Sequence, residues 1–162
     1  MALVQKQSVN IVQAESASQI DDARLIFREY EAWIDLDLCF QGFGAELTAL
    51  PGKYAMPDGR LLLAYVNDRL AGCIAMRKLD AGICEMKRLF VRDRFRGLKI
   101  GVTLIKRLIA DAREIGYSKM RLDTFPPKMG KAVSLYEIHG FVEIPPYYEN
   151  PHGDVLFMEI SL

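Results

Sequence analysis

The sequence predicts an α+β (mixed α/β) fold, a central and mostly antiparallel sheet of about seven strands flanked by about four helices. Three observations predict it. LLLAYV and LAGCIAMRKL flank a turn at Asn67-Asp68, which is a hairpin signature. Leu104, Ile105, Leu108, Ile109, Ala112 and Ile115 recur at helical spacing between two strand-like runs, giving a strand–helix–strand unit over 83–124. Such a unit joins parallel strands by a right-handed crossover, so at least one parallel pair interrupts the antiparallel order.

The elements follow in order. VNIVQA at 9–14 reads as the first strand. Ser18 with Asp21 suggests a capping box, and Leu25, Ile26, Tyr30, Trp33 and Ile34 then supply a helical stripe. A short helix is expected near Ala45–Leu50, and Pro51, Pro57 and Gly59 break the chain after it. The hairpin comes next, then ICEMKRLFV at 83–91 as a further strand after a turn at Asp80–Gly82. RDRFRGLKIG leads into the long helix, which Gly116 ends. KMRLDT at 119–124 is a strand, which Pro126-Pro127 should stop. A short helix over 130–139 ends at Gly140, and FVEI and DVLFMEISL complete the sheet. No repeat or linker divides the chain, so residues 1–162 are expected to form a single domain.

Composition excludes several function classes. Twenty-one basic residues balance 21 acidic ones, so no net field recruits nucleic acid or a membrane surface. No apolar run approaches the roughly 18 residues of a spanning helix. The cysteines are Cys39, Cys73 and Cys84, an odd number without CxxC spacing, as in a reduced compartment. MALVQKQSVN lacks the apolar stretch of a secretory leader, and a cytoplasmic location is expected. His139 and His152 have no third partner at metal-ligand spacing, so no metal is expected.

The chemistry concentrates in one segment. A strand runs into Arg96-Gly97-Leu98-Lys99-Ile100-Gly101 and a helix follows. A helix N-terminus offers unpaired N–H groups and partial positive charge, and glycine lets a phosphate approach the backbone. The turn is therefore either a pyrophosphate cradle or a tight turn with nothing bound. It lacks the three glycines of a dinucleotide fingerprint and the Gly-Lys-Ser/Thr of a nucleoside triphosphate loop.

LFVRDRFRGLKIGVTLIKRL resembles the acyl-CoA-binding motif of the GNAT superfamily of N-acetyltransferases, Arg/Gln-x-x-Gly-x-Gly/Ala. AVSLYEIHGF resembles their later motif, a helix carrying Leu-Tyr that ends at Gly-Phe. The interval between the two runs and the order of strands match as well; the resemblance covers roughly 60–145 well. One departure is Lys99, where the family usually has the first glycine of the motif; a helical Lys99 would keep the amides directed at phosphate.

The resemblance implies an acetyl-CoA-dependent N-acetyltransferase. Pantetheine would lie where the fourth strand splays from the fifth, pairing with Leu89, Phe90 and Val91. An amide there would also face the oxyanion of the tetrahedral intermediate. Arg96, Gly97, Leu98, Lys99, Ile100, Gly101 and Val102 would hold the pyrophosphate. Tyr136 matches the tyrosine whose hydroxyl points at the CoA sulfur, as an acid or as a packing residue that only orients. Glu85 matches the glutamate base of the histone-type members. It is either a base with a raised pKa or half of an ion pair with Lys87 on the same strand face. Cys84 points away from Glu85 and reads as a small core residue, Asp123 as a strand-end cap or an acceptor-orienting group, and His139 as a helix C-terminal residue.

The acceptor side of the family fold maps onto Tyr30, Trp33, Phe40, Phe43, Glu46, Tyr54, Tyr147, Tyr148 and Glu149. Carboxylates among aromatics suit a cationic amine of a small molecule or a peptide, although Trp33 and Phe40 fit core packing better. A homodimer is compatible with the resemblance. Two competing functions remain: a non-catalytic acyl-CoA-binding or sensing module, and an unrelated α/β enzyme whose helix N-terminus binds another phosphate.

Overall fold

A computed structural model describes residues 7–38 and 41–162. The elements are β1 (Val9–Gln13), α1 (Ala17–Ile34), α2 (Phe43–Ala49), β2 (Arg60–Val66), β3 (Arg69–Asp80), β4 (Ile83–Val91), α3 (Ile100–Ile115), β5 (Lys119–Thr124), α4 (Pro126–Ile138), β6 (Val142–Ile144) and β7 (Leu156–Ser161). One seven-stranded sheet has the order β1-β2-β3-β4-β5-β7-β6. Every neighbouring pair is antiparallel except β4 with β5, the pair that α3 connects.

Each turn has a local cause. Asn67 and Asp68 both take positive φ (48° and 65°), as a two-residue hairpin between right-twisted strands demands. Gly116 closes α3 at φ 108°, a conformation open to glycine at no steric cost. Ser16 Oγ accepts the amide of Gln19 at 3.2 Å while Gln19 Oε1 accepts the amide of Ser16 at 3.1 Å. The capping box is thus Ser16/Gln19, not Ser18/Asp21, because the helix starts earlier, at Ala17. The earlier start also fixes the buried stripe as Ile20, Ala23, Ile26, Phe27, Tyr30 and Ile34, and leaves Leu25 exposed. Pro126 and Pro127 open α4 rather than merely ending β5, since the first helical turn needs no amide donors. A kink at Met129 (φ −117°, ψ 27°) then separates them from the expected 130–139 segment.

The core lies on both faces of the sheet. On one face, Leu104, Ile105 and Leu108 of α3 pack on Leu62, Ile74 and Met76, together with Tyr136 and Phe141. On the other, Ile26, Phe27 and Tyr30 of α1 and Phe43 of α2 cover Leu61, Leu63 and Phe90. Cys73 and Cys84 are free thiols within these layers; Cys39 and Phe40 lie outside the described residues. Among the described residues no helix is long and apolar enough to cross a membrane.

Candidate active site

β4 and β5 separate halfway along. They pair only at Ile83↔Lys119, Cys84↔Met120 and Glu85↔Arg121. From Met86 to Val91 the β5-facing edge of β4 has no strand partner. Backbone donors and acceptors on such an edge require a hydrogen-bonding occupant. An extended chain carrying amides, such as a pantetheine arm, meets that need as an added strand would. Leu89 and Val91 are half-buried here and Phe90 is buried, its ring against Tyr30 and Trp33 at 6.3 and 5.7 Å.

A β-bulge sits in the same stretch. Cys73 faces Phe90 and Ala75 faces Lys87, so Ile74 alone opposes both Arg88 and Leu89. Arg88 takes φ 61°, an uncommon conformation for a non-glycine residue. The extra residue reverses the alternation. Cys84 and Met86 face the α3 layer, and Arg88 would follow them. Instead it joins Glu85 and Lys87 on the α1–α2 side. There Arg88 grips Glu46 of α2, and Phe43 and Tyr30 lie 4.9 and 5.7 Å from its guanidinium carbon. The bulge is the one device that turns a guanidinium away from the apolar α3 layer.

At the mouth of the splay stands the N-terminus of α3. Lys99 is its N-cap and takes the left-handed conformation (φ 57°, ψ 30°), so the expectation of a right-handed helical Lys99 is corrected. It adopts the conformation a glycine would, and its side chain is exposed. Gly97 lies at φ 90° with open space where a Cβ would stand. The first intrahelical bond runs from the Thr103 amide to the Lys99 carbonyl at 3.1 Å. The amides of Ile100, Gly101 and Val102 have no acceptor among the described residues. These orphan donors fit an anion. Arg96 is exposed, ion-paired to Asp93 at 3.0 Å and placed over Trp33 at 5.7 Å; Leu98 is half-buried against the core. A Cβ on Gly101 would meet Leu135 of α4 and Val91 at 3.8 and 4.0 Å, so helix start, strand edge and α4 converge.

Tyr136 lies on α4 and is 3 % exposed, edge-on to Phe141 at 5.7 Å. Burial, then Tyr30 and Asp123, push its pKa upward, so the phenol is protonated at neutral pH. Asp123 is on the last part of β5 and accepts the Tyr148 hydroxyl at 2.5 Å. Tyr136 is therefore within electrostatic reach of the splayed end of β5. His139 caps α4, with Nδ1 at 2.8 Å from the Leu135 carbonyl.

Of the two readings of Glu85, a base with a raised pKa and an ion pair with Lys87, the geometry matches the ion pair. Glu85 is 1 % exposed, yet its pKa is lowered, not raised. Burial pushes upward, but Lys87, the Tyr147 hydroxyl and Arg77 together outweigh it. Arg77 Nε donates to Oε1 at 2.9 Å, Tyr147 donates to Oε2 at 2.6 Å, and Lys87 Nζ stands 3.6 Å from Oε1. Cys84 points to the other face, is fully buried, and has its thiol pushed up to about 12.

Above Glu85 opens a cavity of about 560 Å³, walled by Glu46 and Tyr54 on one side and Tyr147, Tyr148 and Glu149 on the other. Lys87 also lines a smaller cavity of about 40 Å³ with Tyr30, Arg88, Asp123 and Thr124. Tyr54 donates to Glu46 at 2.7 Å. The sequence-derived acceptor set is thus split. Glu46, Tyr54, Tyr147, Tyr148 and Glu149 meet in the large cavity. Tyr30 lines the small one, Phe43 is core, and Trp33 lines a separate groove with Phe90 and Arg92. Arg77 and Arg88 escaped the sequence reading, which named Lys87 only as an ion-pair partner of Glu85. The Arg77↔Glu85 register and the bulge bring them in, although Lys87 two residues from Glu85 was a visible signal. Among the described residues no cluster of His, Cys, Asp or Glu could hold a metal ion.

The chain is similar to known proteins over most of its length. The acetyltransferase (GNAT) family matches residues 26–141. An uncharacterised N-acetyltransferase of Schizosaccharomyces pombe is 36 % identical, covering 99 % of each chain. One from Dictyostelium discoideum is 34 % identical, covering 91 % of this chain and 97 % of that one. A GNAT-family acetyltransferase structure from Staphylococcus aureus superposes with a TM-score of 0.78 at 24 % identity, covering 95 % of this chain and 99 % of the other. A PaiA N-acetyltransferase from Thermoplasma acidophilum, solved with coenzyme A, gives 0.70 at 20 % identity, covering 96 % and 99 %. The chain belongs to the GNAT family and is an acyltransferase that draws its acyl group from an acyl-CoA.

Proposed function

We propose that the protein is an acetyl-CoA-dependent N-acetyltransferase that modifies a primary amine of a small molecule or peptide by direct attack in a ternary complex. The observation that carries this reading is the splay beyond Glu85, whose free β4 edge leads to the orphan amides of Ile100, Gly101 and Val102. Leu89, Phe90 and Val91 would hold the thioester arm, and Arg96 through Val102 the pyrophosphate. In the reaction the amine nitrogen bonds to the thioester carbonyl carbon, the C–S bond breaks, and the products are an amide and free CoA thiol. The proton lost by the nitrogen balances the one gained by sulfur.

Tyr136 supplies a protonated hydroxyl toward the departing sulfur, acting as the acid or as a hydrogen-bond donor to the developing thiolate. Glu85 was the sequence candidate for the base. Its lowered pKa makes it a weak one, and we assign it instead to fixing Arg77, Lys87 and Tyr147. Water in the cavity then carries the amine proton away. The fold is proposed to span residues 1–162 as a single domain, and the buried thiols of Cys73 and Cys84 agree with a reducing, cytoplasmic setting.

The test is an amine panel with acetyl-CoA, read by free-thiol release, beside thermal shifts with CoA and acetyl-CoA. Turnover with at least one amine and a stability gain from either ligand are expected. A stability gain with no turnover for any amine would indicate a binding module. Absence of both would remove the donor site.

A further inference from the structure

Two cations, Arg77 and Lys87, reach the floor of the large cavity around the buried carboxylate of Glu85. Arg77 and Lys87 stand on adjacent strands and one face of the sheet, and both turn to a single carboxylate, Glu85. Arg77 spends only Nε on Glu85; its two terminal nitrogens have no acceptor among the described residues. The Lys87 side chain is 10 % exposed, and its ammonium makes no hydrogen bond among the described residues, the Glu85 oxygen at 3.6 Å being an ion-pair contact only. Of the other carboxylates nearby, Glu46 is held by Arg88 and Tyr54, while Asp123 shares the small cavity with Lys87 and accepts the neutral Tyr148 hydroxyl. Glu149 and Lys53 are both exposed at the rim. Cationic donors that line a cavity and have no protein acceptor suit an anionic ligand group.

We infer that the acceptor is an amine that also bears a carboxylate, an amino acid, and that Arg77 and Lys87 bind that carboxylate in the large cavity. This deepens the N-acetyltransferase reading and rests on it. Arg77 presents a planar pair of donors suited to bidentate carboxylate binding, and Lys87 adds a point charge. Lys87 also borders the small cavity at the splayed end of β5. A carboxylate held there leaves the amine of the same small molecule facing the thioester.

The experiment compares amino acids with their decarboxylated amines, such as phenylalanine with phenethylamine, across a panel of side chains at saturating acetyl-CoA. The acids are expected to show kcat/KM at least about tenfold higher than the matched amines. Arg77→Gln should raise KM for the acids and erase their preference over the matched amines, and Arg77→Lys should restore part of it. A second readout needs neither turnover nor the variant: with CoA present, N-acetylphenylalanine should bind more tightly than N-acetylphenethylamine by calorimetry. Equal use of acids and amines, or equal binding of the two products, would overturn the inference while leaving the acetyltransferase reading intact. Failure of CoA itself to bind would instead strike that reading. Turnover of peptides with blocked C-termini at the rate of free amino acids would also count against it.

Discussion

Arg88 grips Glu46 with two nitrogens, Nε at 3.0 Å from Oε2 and Nη2 at 3.1 Å from Oε1. This pair ties α2 to the bulge of β4, and Tyr54 closes it with a further hydrogen bond. The Arg88 side chain is 2 % exposed, so its charge has no recourse to water. Removing one partner of such a pair leaves an uncompensated buried ion. Glu46→Gln should destabilise the protein by about 3 kcal/mol, read as a lowered urea midpoint at unchanged slope. A loss below about 0.5 kcal/mol would show that the clamp contributes geometry only.

Glu85 sets a pH dependence of stability. Its folded-state pKa lies below the ordinary carboxylate value. A depressed carboxylate stabilises fully above its unfolded pKa of about 4.3, and that contribution is lost as pH falls through the lower, folded value. Glu85→Gln should therefore cost stability at pH 7, and the deficit against the parent should shrink below about pH 4. Urea titrations at pH 7 and 3.5 measure this. The pH–rate profile of the same variant should keep any limb that the parent shows between about pH 6 and 8, because Glu85 does not titrate there.

Tyr136→Phe separates chemistry from binding. The hydroxyl is protonated and buried, while the ring packs on Phe141. Phenylalanine keeps that packing. Turnover should fall by about 10²-fold or more while acetyl-CoA affinity changes less than about threefold. Parallel loss of both would reduce Tyr136 to a binding residue.

Lys99 tests the α3 N-terminus. A non-glycine residue in the left-handed region carries a cost of about 1 kcal/mol, partly offset by the greater chain entropy glycine would lose. Lys99→Gly should raise stability by up to about 1 kcal/mol and loosen CoA binding only a few-fold, because the orphan amides remain. A large drop in affinity would make the ammonium itself the principal phosphate ligand.

Much of this architecture could be read from the chain. β4 and β5 match their expected bounds, and the Asn67-Asp68 hairpin and the α3 stripe fell in place because their signals are local. The misplaced capping box and the role of Pro126-Pro127 were errors at element ends, where neighbouring Ser, Asp and Pro compete for one boundary. The site was less legible. That Glu85 faces Arg77 depends on the β3–β4 register, and that Arg88 joins its face depends on a single extra residue in β4. No hydrophobic period announces that residue. The sign of the Glu85 shift follows from its neighbours: strand alternation already pointed to Lys87, but not to Arg77 or the Tyr147 hydroxyl that act with it.

The short contact between β4 and β5 has a mechanical side. Three residue pairs join the strands, and beyond them each leans only on its own half of the sheet and the shared apolar layer beneath. A ligand lodged in the gap is then a wedge and a rivet together, fastening two plates that the chain fastens at one end alone. Amide exchange should slow along 86–91 and 122–124 when CoA is added, and the tightening should fade toward Ile83, where the plates are already sewn.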